Sequence, residues 1–534
     1  MRFRWLYVLP VFSLFLLSHC ASPGGVVWDS HDTSGADARL QALVVRVNAC
    51  MARGRTPLKT LLVTAPYDMA LFPPDIASPT VTWRDGDAQS RFWLISVVFD
   101  NGRKPVYGFV REPEWTPDRT TWETIKANSV SAPVMLSVFG LADENADVVA
   151  SVGRVSFSTS TDPVGDAVFF RQIPLPFALA SQSFEKTRWR MGHIDSYDPP
   201  VTVMQGVPVC ASCHSFSRDG KYMSMEYNYG NDGGAQFIVK TASEIVVEKN
   251  DFFTWSDFPK SGLLPPTRGL FGRMSPSGRY AAASVNEISF ATVMNDLDFC
   301  QLFFPTYGVI GVYDRKTGKT RLLPGADDYG LVQANPVWSM DEKEIVFCRA
   351  DTRNEVHSDL ANVKTIMETR SIQALNALYP MRFDLYRVPF NNGEGGEAVP
   401  LEGASNNNAS NYFARFSPDG KWIVFTKSPY GIMLQPDSEL WIVPAAGGTA
   451  RKMNCNRGNF NSWHSWSSNG RWLLFSSKAN TPYTEIFLTH VDENGNDTAP
   501  VVLTRFNETG FAANVPEFAP GDAAGIQSVR IAEP

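Results

Sequence analysis

Phe416-Ser-Pro-Asp-Gly420-Lys-Trp422, followed by Ile-Val-Phe425, decides the fold, because the segment recurs. The other copies are Phe216-Ser-Arg-Asp-Gly220-Lys-Tyr, Met274-Ser-Pro-Ser-Gly278-Arg-Tyr, Trp338-Ser-Met-Asp-Glu342-Lys-Glu and Trp466-Ser-Ser-Asn-Gly470-Arg-Trp. Each has an aromatic residue or Met, then Ser, then a turn. Asp-Gly, Asn-Gly or Ser-Gly supplies the positive φ of a tight turn in most copies. The alternating apolar residues that follow, as in Trp472-Leu-Leu-Phe475, read as a strand. A second hairpin trails each copy: Phe237 to Val247, Val309 to Leu323, Leu385 to Leu401, Leu440 to Met453 and Ile486 to Leu503. Two hairpins per repeat make a four-stranded sheet, and radial repetition of such sheets makes a β-propeller.

The repeat resembles that of TolB-type propellers, relatives of the WD-repeat class. The resemblance runs from about Thr202 to the C-terminus and implies six blades, the sixth closed by strands from both ends of the domain. The expected fold is therefore all-β, with the propeller over 202–534.

At 534 residues the chain is long for one core and suggests two folded units. Ala36 to Arg53 reads as a short amphipathic helix. Between Leu61 and Ser160 the β-type runs Thr80 to Trp83, Phe92 to Phe99, Val134 to Phe139 and Val152 to Phe157 alternate with Pro, Gly and Asp clusters. Strands at this spacing predict a β-sandwich over 36–172, and the stretch looks like an immunoglobulin or fibronectin-type module. Trp83, Trp93, Trp115 and Trp122 suit either a glycan-stacking face or core packing. Pro-rich Ile173 to Pro176 and the polar stretch after it predict a linker over 173–201.

Arg2 and Arg4 precede the apolar run Trp5 to Leu17, which ends in Leu17-Ser18-His19-Cys20. This is an export signal over 1–20, too short for a stable membrane span. Cys20 resembles the acylated cysteine of a bacterial lipobox, although His19 stands where a small residue is usual. The expected location is the periplasm or cell envelope, with any membrane attachment through lipid at Cys20. A formal net charge of -7 and no Lys/Arg-rich run argue against nucleic acid as a partner. Cys50, Cys300, Cys348 and Cys455 either pair, which export permits, or stay as isolated buried thiols.

The motif with chemistry is Cys210-Ala-Ser-Cys213-His214. Two thiols at that spacing reach both vinyl groups of a haem, and the adjoining imidazole meets the iron, so it predicts covalent haem c. A zinc site lacks a second paired cluster, a dithiol lacks its βαβ setting, and a short disulfide does not need His214. The arrangement resembles exported bacterial propeller proteins with an embedded Cys-x-x-Cys-His. His464 is the expected second axial ligand: His214 and His464 both stand six places before the turn glycine, where the other copies have Gly272, Pro336 and Ala414. Met204, Met223, Met225 and Met274 are alternatives, and His193 a weaker one. Asp492 to Asp497 fails as a calcium loop because Gly495 and Leu503 stand at the wrong positions. No common hydrolase or nucleotide motif is present. The expected function is electron transfer to a redox partner at the envelope. The alternatives are a module binding glycan or an envelope protein, with the motif structural, and a peroxidase-like haem enzyme.

Cys20→Ser separates the two modes of leader processing. Acylation predicts a membrane-bound wild type and a released variant, read by fractionation and intact mass.

Overall fold

The computed structural model describes residues 28–29, 36–54, 58–143, 148–176, 180, 182–207, 211–259, 266–292, 294–351, 365–366 and 371–532. Within them the chain divides into two compact units, Met1–Ala65 with Thr80–Ser158, and Pro66–Pro79 with Thr159–Pro534. The leader, Cys20 and Cys210 lie outside the described residues.

In the smaller unit the helix Ala36–Arg53 forms where its apolar spacing places it. Leu40, Leu43 and Val47 on one face pack against Leu94, Phe139 and Val149. The antiparallel strands Val106–Val110, Phe92–Val98, Val134–Leu141 and Val149–Thr159 pair in that order. Lys59–Ala65 pairs with Val81–Asp85, which in turn pairs with Glu114–Trp115. Lys59–Ala65 also pairs in parallel with Val149–Thr159, which joins the two groups into one sheet, and Trp93 Nε1 donates to Asp85 at 2.8 Å beside the edge-on ring of Trp83. Trp83, Trp93, Trp115 and Trp122 are all buried, so their rings serve the core and present no stacking face to a glycan.

The larger unit is all-β with propeller-like sheets. Sheet one runs Phe511–Ala519, Ala167–Pro174, Arg188–Gly192, Val201–Gln205 from its inner strand outward. Sheet two runs Ala211–Phe216, Tyr222–Tyr227, Ala235–Lys240, Phe252–Thr254. Sheet three comprises Leu270–Met274, Tyr280–Thr292, Phe303–Asp314 and Lys319–Leu322. Sheet four comprises Leu331–Trp338, Glu344–Asp351, Asp384–Pro389 and Val399–Pro400, and a bridge from Gly308 to Val332 joins it to sheet three. Sheet five runs Ser410–Phe416, Trp422–Ser428, Glu439–Pro444, Arg451–Lys452. Sheet six runs Asn461–Trp466, Trp472–Ser477, Glu485–His490, Val501–Val502. Each inner strand touches the inner strand of the next sheet, and Phe511–Ala519 touches both Asn461–Trp466 and Ala211–Phe216, which completes a cycle.

Residues 173–201, expected as a linker, thus contain a strand of sheet one. The proline residues that look like a boundary end one outer strand and precede another, where no ladder donor is needed. Residues 159–172, expected to belong to the sandwich, also fall in the larger unit.

The repeat is legible in its hydrogen bonds. Ser417 Oγ donates to Asp419 at 2.6 Å and accepts from the Trp422 amide at 3.0 Å, while Asp419 accepts from the Lys421 amide at 3.1 Å. The same three bonds recur at Ser217, Ser339 and Ser467, with Asn469 in place of Asp in the last. One hydroxyl and one short polar side chain therefore satisfy the amides that the turn leaves open. The turn glycine has φ near +70°, with Gly220 at 70° and Gly420 at 72°. Glu342, at φ 58°, holds the same conformation without being glycine.

Gly420→Ala is expected to cost about 1 to 2 kcal/mol, the penalty of the left-handed conformation alone, because nothing lies within 4 Å of the added Cβ. Gly220→Ala is expected to cost more, since its Cβ would stand 1.8 Å from the Pro520 carbonyl oxygen. Urea unfolding of the two variants at unchanged m-value checks the order.

Candidate functional site

Cys213 and His214 lie on the inner strand of sheet two, with His214 directly opposite Met225. The imidazole is fully buried and stands edge-on to Phe169 of sheet one, ring centroids 4.7 Å apart. Phe169 belongs to an apolar cluster that also holds Met191, Met204, Met223 and Met225. Met204, Met223 and Met225, three of the four thioethers named from sequence, belong to that cluster, and Met225 is the ladder partner of His214. Met274 packs in a different cluster, with Trp255 and Val285. His193 lies just beyond the end of strand Arg188–Gly192.

Cys213 is a free thiol, as are Cys50, Cys300, Cys348 and Cys455. It keeps some exposed surface, yet its sulfur is crowded enough that desolvation, with Glu226 adding to it, pushes the thiol up to about 12. Arg273 and Arg171 oppose that shift without cancelling it. At neutral pH the thiol is protonated, the wrong state for a nucleophilic dithiol.

His464 lies on the inner strand of sheet six, and Nε2 donates to the Val424 carbonyl of sheet five at 2.9 Å. That bond fixes the tautomer and leaves Nδ1 to carry a lone pair, with no partner among the described residues. Desolvation pulls its pKa down to about 4, with Arg273 adding a smaller push the same way.

The two histidines occupy equivalent places in different sheets. Phe169, beneath His214, is paired with Glu517, and Val424, beneath His464, is paired with Arg415. Glu517 and Arg415 themselves hold the same repeat position. Each imidazole therefore leans on the second strand of the preceding sheet. His214 fills the space between sheets one and two, and His464 that between sheets five and six. The structure does not bring the two rings together, because inner strand Phe511–Ala519 stands between theirs in the cycle.

The inner strands share a second device. Between Leu270 and Arg273, Ala334 and Val337, Tyr412 and Arg415, and Ser462 and Ser465, two residues face one on the partner strand. The bulged strand carries a residue at positive φ, namely Phe271, Asn335, Phe413 and Trp463, and Val515 of sheet one matches them. Each stands seven places before the turn position; in sheet two that place is Cys213, which is not at positive φ, and the register shift there lies one place earlier, between Ala211 and His214. Phe271 and Phe413 come from inner strands separated by sheet four, yet their rings meet at 5.4 Å, so bulge side chains converge on the ring axis.

Two positions after the bulge, the inner strands present Ser215, Arg273, Val337, Arg415, Ser465 and Glu517. Arg273 pairs with Glu517 at 2.5 Å, and Arg415 approaches the same carboxylate at 3.6 Å. Arg273 also donates to the His214 carbonyl at 3.2 Å. Sequence reading missed these residues, although the aligned repeats hold the signal. Phe518-Ala-Pro-Gly521-Asp522 is a degenerate sixth copy, and counting back from it finds Glu517.

Among the described residues no group of three or more His, Cys, Asp and Glu is arranged to hold a metal ion. The donors present are of another kind: an imidazole in a dry apolar wall, a neighbouring thiol and several buried thioethers. This set suits haem c, whose iron takes nitrogen and sulfur ligands and whose ring needs apolar cover.

No protein-family model and no curated protein matches this chain. Among solved structures it is similar to TolB from Acinetobacter baumannii, at 13% identity and TM-score 0.41, over 73% of this chain and 79% of that one. A putative TolB from Agrobacterium tumefaciens gives 16% identity and 0.34, over 63% and 88%. An oligogalacturonate lyase in complex with manganese gives 13% and 0.34, over 57% and 69%. Likeness at this level bears on neither activity nor site.

His464 carries a pH dependence. Its pKa is lower in the folded state, so from pH 6.5 down to about 4 the unfolded chain binds the extra proton. The stabilisation present above pH 6.5 is lost across that window, by on the order of 3 kcal/mol. Urea unfolding of haem-free protein from pH 7 to 4 should show this slope, and His464→Gln should flatten it.

Proposed function

We propose that this chain is an exported mono-haem c-type protein that transfers single electrons at the cell envelope, with the haem held by Cys210, Cys213 and His214. The observation that carries the reading is the burial of His214 edge-on to Phe169, with Met225 as its ladder partner. Haem c supplies a one-electron iron couple when attached. His214 would hold the iron from one side, and Phe169 with the apolar cluster around it would limit the reorganisation that a charge change demands. A thioether close by favours a filled sixth position, which suits electron transfer better than peroxide chemistry.

The scaffold is read as a six-bladed propeller, which the cycle of inner strands supports. The smaller unit is read as an immunoglobulin-like sandwich on the contacts of Trp83 and Asp85 with Trp93. Export rests on the leader from Arg2 to Cys20, with Cys20 as the lipid attachment point in the periplasm or envelope. No helix among the described residues is long and apolar enough to cross a membrane. The partner is a redox protein of the envelope.

Protein made with cytochrome c maturation machinery should keep haem on a denaturing gel and give a pyridine haemochrome spectrum. Cys210→Ala with Cys213→Ala should abolish retention, and a colourless wild type would overturn the reading. A sulfur-to-iron charge-transfer band that survives His464→Ala assigns the sixth ligand to methionine. Conversion of that variant to high spin assigns it to His464.

A further inference from the structure

The two middle strands of sheet three outrun the rest of their sheet. Tyr280–Thr292 and Phe303–Asp314 continue past it as a hairpin, described over 286–292 and 294–307, with Ile288 opposite Tyr307 and Ala291 opposite Phe303. Because Tyr280–Thr292 is antiparallel to the inner strand Leu270–Met274, the extension leaves the ring on the side where the inner strands begin. There Phe303 lies edge-on to Phe271, centroids 5.5 Å apart, and Phe271 in turn meets Phe413 of sheet five on the ring axis. The hairpin therefore passes over the axis.

It also reaches the far side of the ring. Met433 lies between Trp422–Ser428 and Glu439–Pro444 of sheet five, and it exchanges backbone bonds with Phe303. The Met433 amide donates at 2.8 Å and the Phe303 amide at 3.4 Å. Beyond this bridge, Cys300 is fully buried with Ile173, Leu175 and Ala512 where sheet one begins, and Leu297 and Tyr483 pack beside them. Lys478, just after strand Trp472–Ser477 of sheet six, donates from Nζ to the carbonyls of Leu297 and Asp298. One hairpin rooted in sheet three is thus held by sheets five, six and one.

Its root is irregular and its far hold is slight. The ladder slips between Val285 and Ile288 and again between Ile288 and Ser289, Asn286 has φ 50°, and Pro305 opposite Ser289 has no amide to donate. A short break in pairing next to continuous strand is where a hinge can form. At the tip, the Lys478 ammonium is buried on carbonyl oxygens and makes no ion pair among the described residues. Burial pulls its pKa down, against Cys300, Asp298 and Asp296. A buried charge without a close counter-ion costs desolvation, and lifting the tip returns it to water. Segments held in this way open locally, whereas core strands open only with the whole unit.

We propose that this hairpin is a gate over one mouth of the ring axis, hinged at Asn286 and latched by Lys478, which opens while the six sheets stay folded. Closed, it covers Phe271 and brings the tip onto sheets one and six. Open, it uncovers an aromatic mouth to which Phe271, Phe413 and Trp463 contribute their bulge side chains. The gate stands apart from the haem reading, since none of these contacts involves Cys213 or His214.

Cys300 reports the position of the tip. In the full-length chain, labelling with N-ethylmaleimide and peptide mass mapping give separate rates for Cys300 and for Cys348 and Cys455, which are also fully buried. Cys300 should react at least tenfold faster than the other two, which global unfolding alone exposes. Equal rates for all three would overturn the gate. The exchanged bonds put the Cα atoms of Phe303 and Met433 about 5.5 Å apart, within disulfide reach. Phe303→Cys with Met433→Cys, once oxidised, should slow Cys300 at least tenfold, and reduction should restore its rate. A Cys300 rate that the closed disulfide leaves unmoved would show fraying of the tip alone and overturn the hinged opening. Lys478→Gln should speed Cys300 at least tenfold and leave Cys348 and Cys455 as they were. An unaltered Cys300 rate, or a rise shared by all three thiols, would overturn the latch.

Discussion

The pairing of Phe511–Ala519 with Ala167–Pro174 is the constraint on which the larger unit depends. Without it the ring has two open sheet edges, each a row of unpaired donors and acceptors. With it, Glu517 arrives on the axis to meet Arg273 and Arg415, and Phe169 is set against His214. A second clasp follows at once, where Ser528–Ile531 pairs in parallel with Glu244–Val247, the segment between the third and fourth strands of sheet two. Gly220 lies so close to Pro520 that a Cβ there would stand 1.8 Å from the Pro520 carbonyl oxygen. Ring closure and construction of the candidate site are thus one event.

The inner strand sorts its residues by offset from the turn. The bulge residue reaches the axis, the next one turns sideways into the preceding sheet, and the one after that reaches the axis again. In sheet two the ladder shifts one place earlier, between Ala211 and His214, and the His214 imidazole lies against Phe169 of the preceding sheet while Arg171, Arg273, Glu226 and Glu517 act on the Cys213 sulfur. Two different environments for adjacent residues follow from a single extra residue in the ladder.

Most of the repeat was legible because its bonds are local. Ser417, Asp419 and Trp422 satisfy one another within six positions, so their identities reveal the turn directly. The closing strand was not legible in the same way. Ala519 lacks the hydroxyl, and Gly521-Asp522 reverses the usual order, so the sixth copy loses the side-chain bonds that mark the others. Its partner Ala167–Pro174 fell across the supposed boundary between sandwich and linker because Pro174 and Pro176 look like punctuation. For the candidate site, the matched offsets of His214 and His464 were readable and their directions were not. Offset gives place along a strand, whereas direction depends on the bulge and on which sheet lies beneath. Arg415 and Glu517 share no motif, and only the folded ring puts them together.

The ring's closing strand has a kinetic consequence. Its partner lies at the opposite end of the domain, so the contact spans almost the whole sequence of that unit, and loop closure must be met before any of its bonds can form. Sheets two to six are built from consecutive chain and can form as they emerge, whereas sheet one waits for Phe511–Ala519. Until then the chain is an open arc with sticky ends, prone to pair with another copy. Phe511–Ala519 decides whether Ala167–Pro174 has an inner neighbour, and a variant stopped before it forfeits the closed ring.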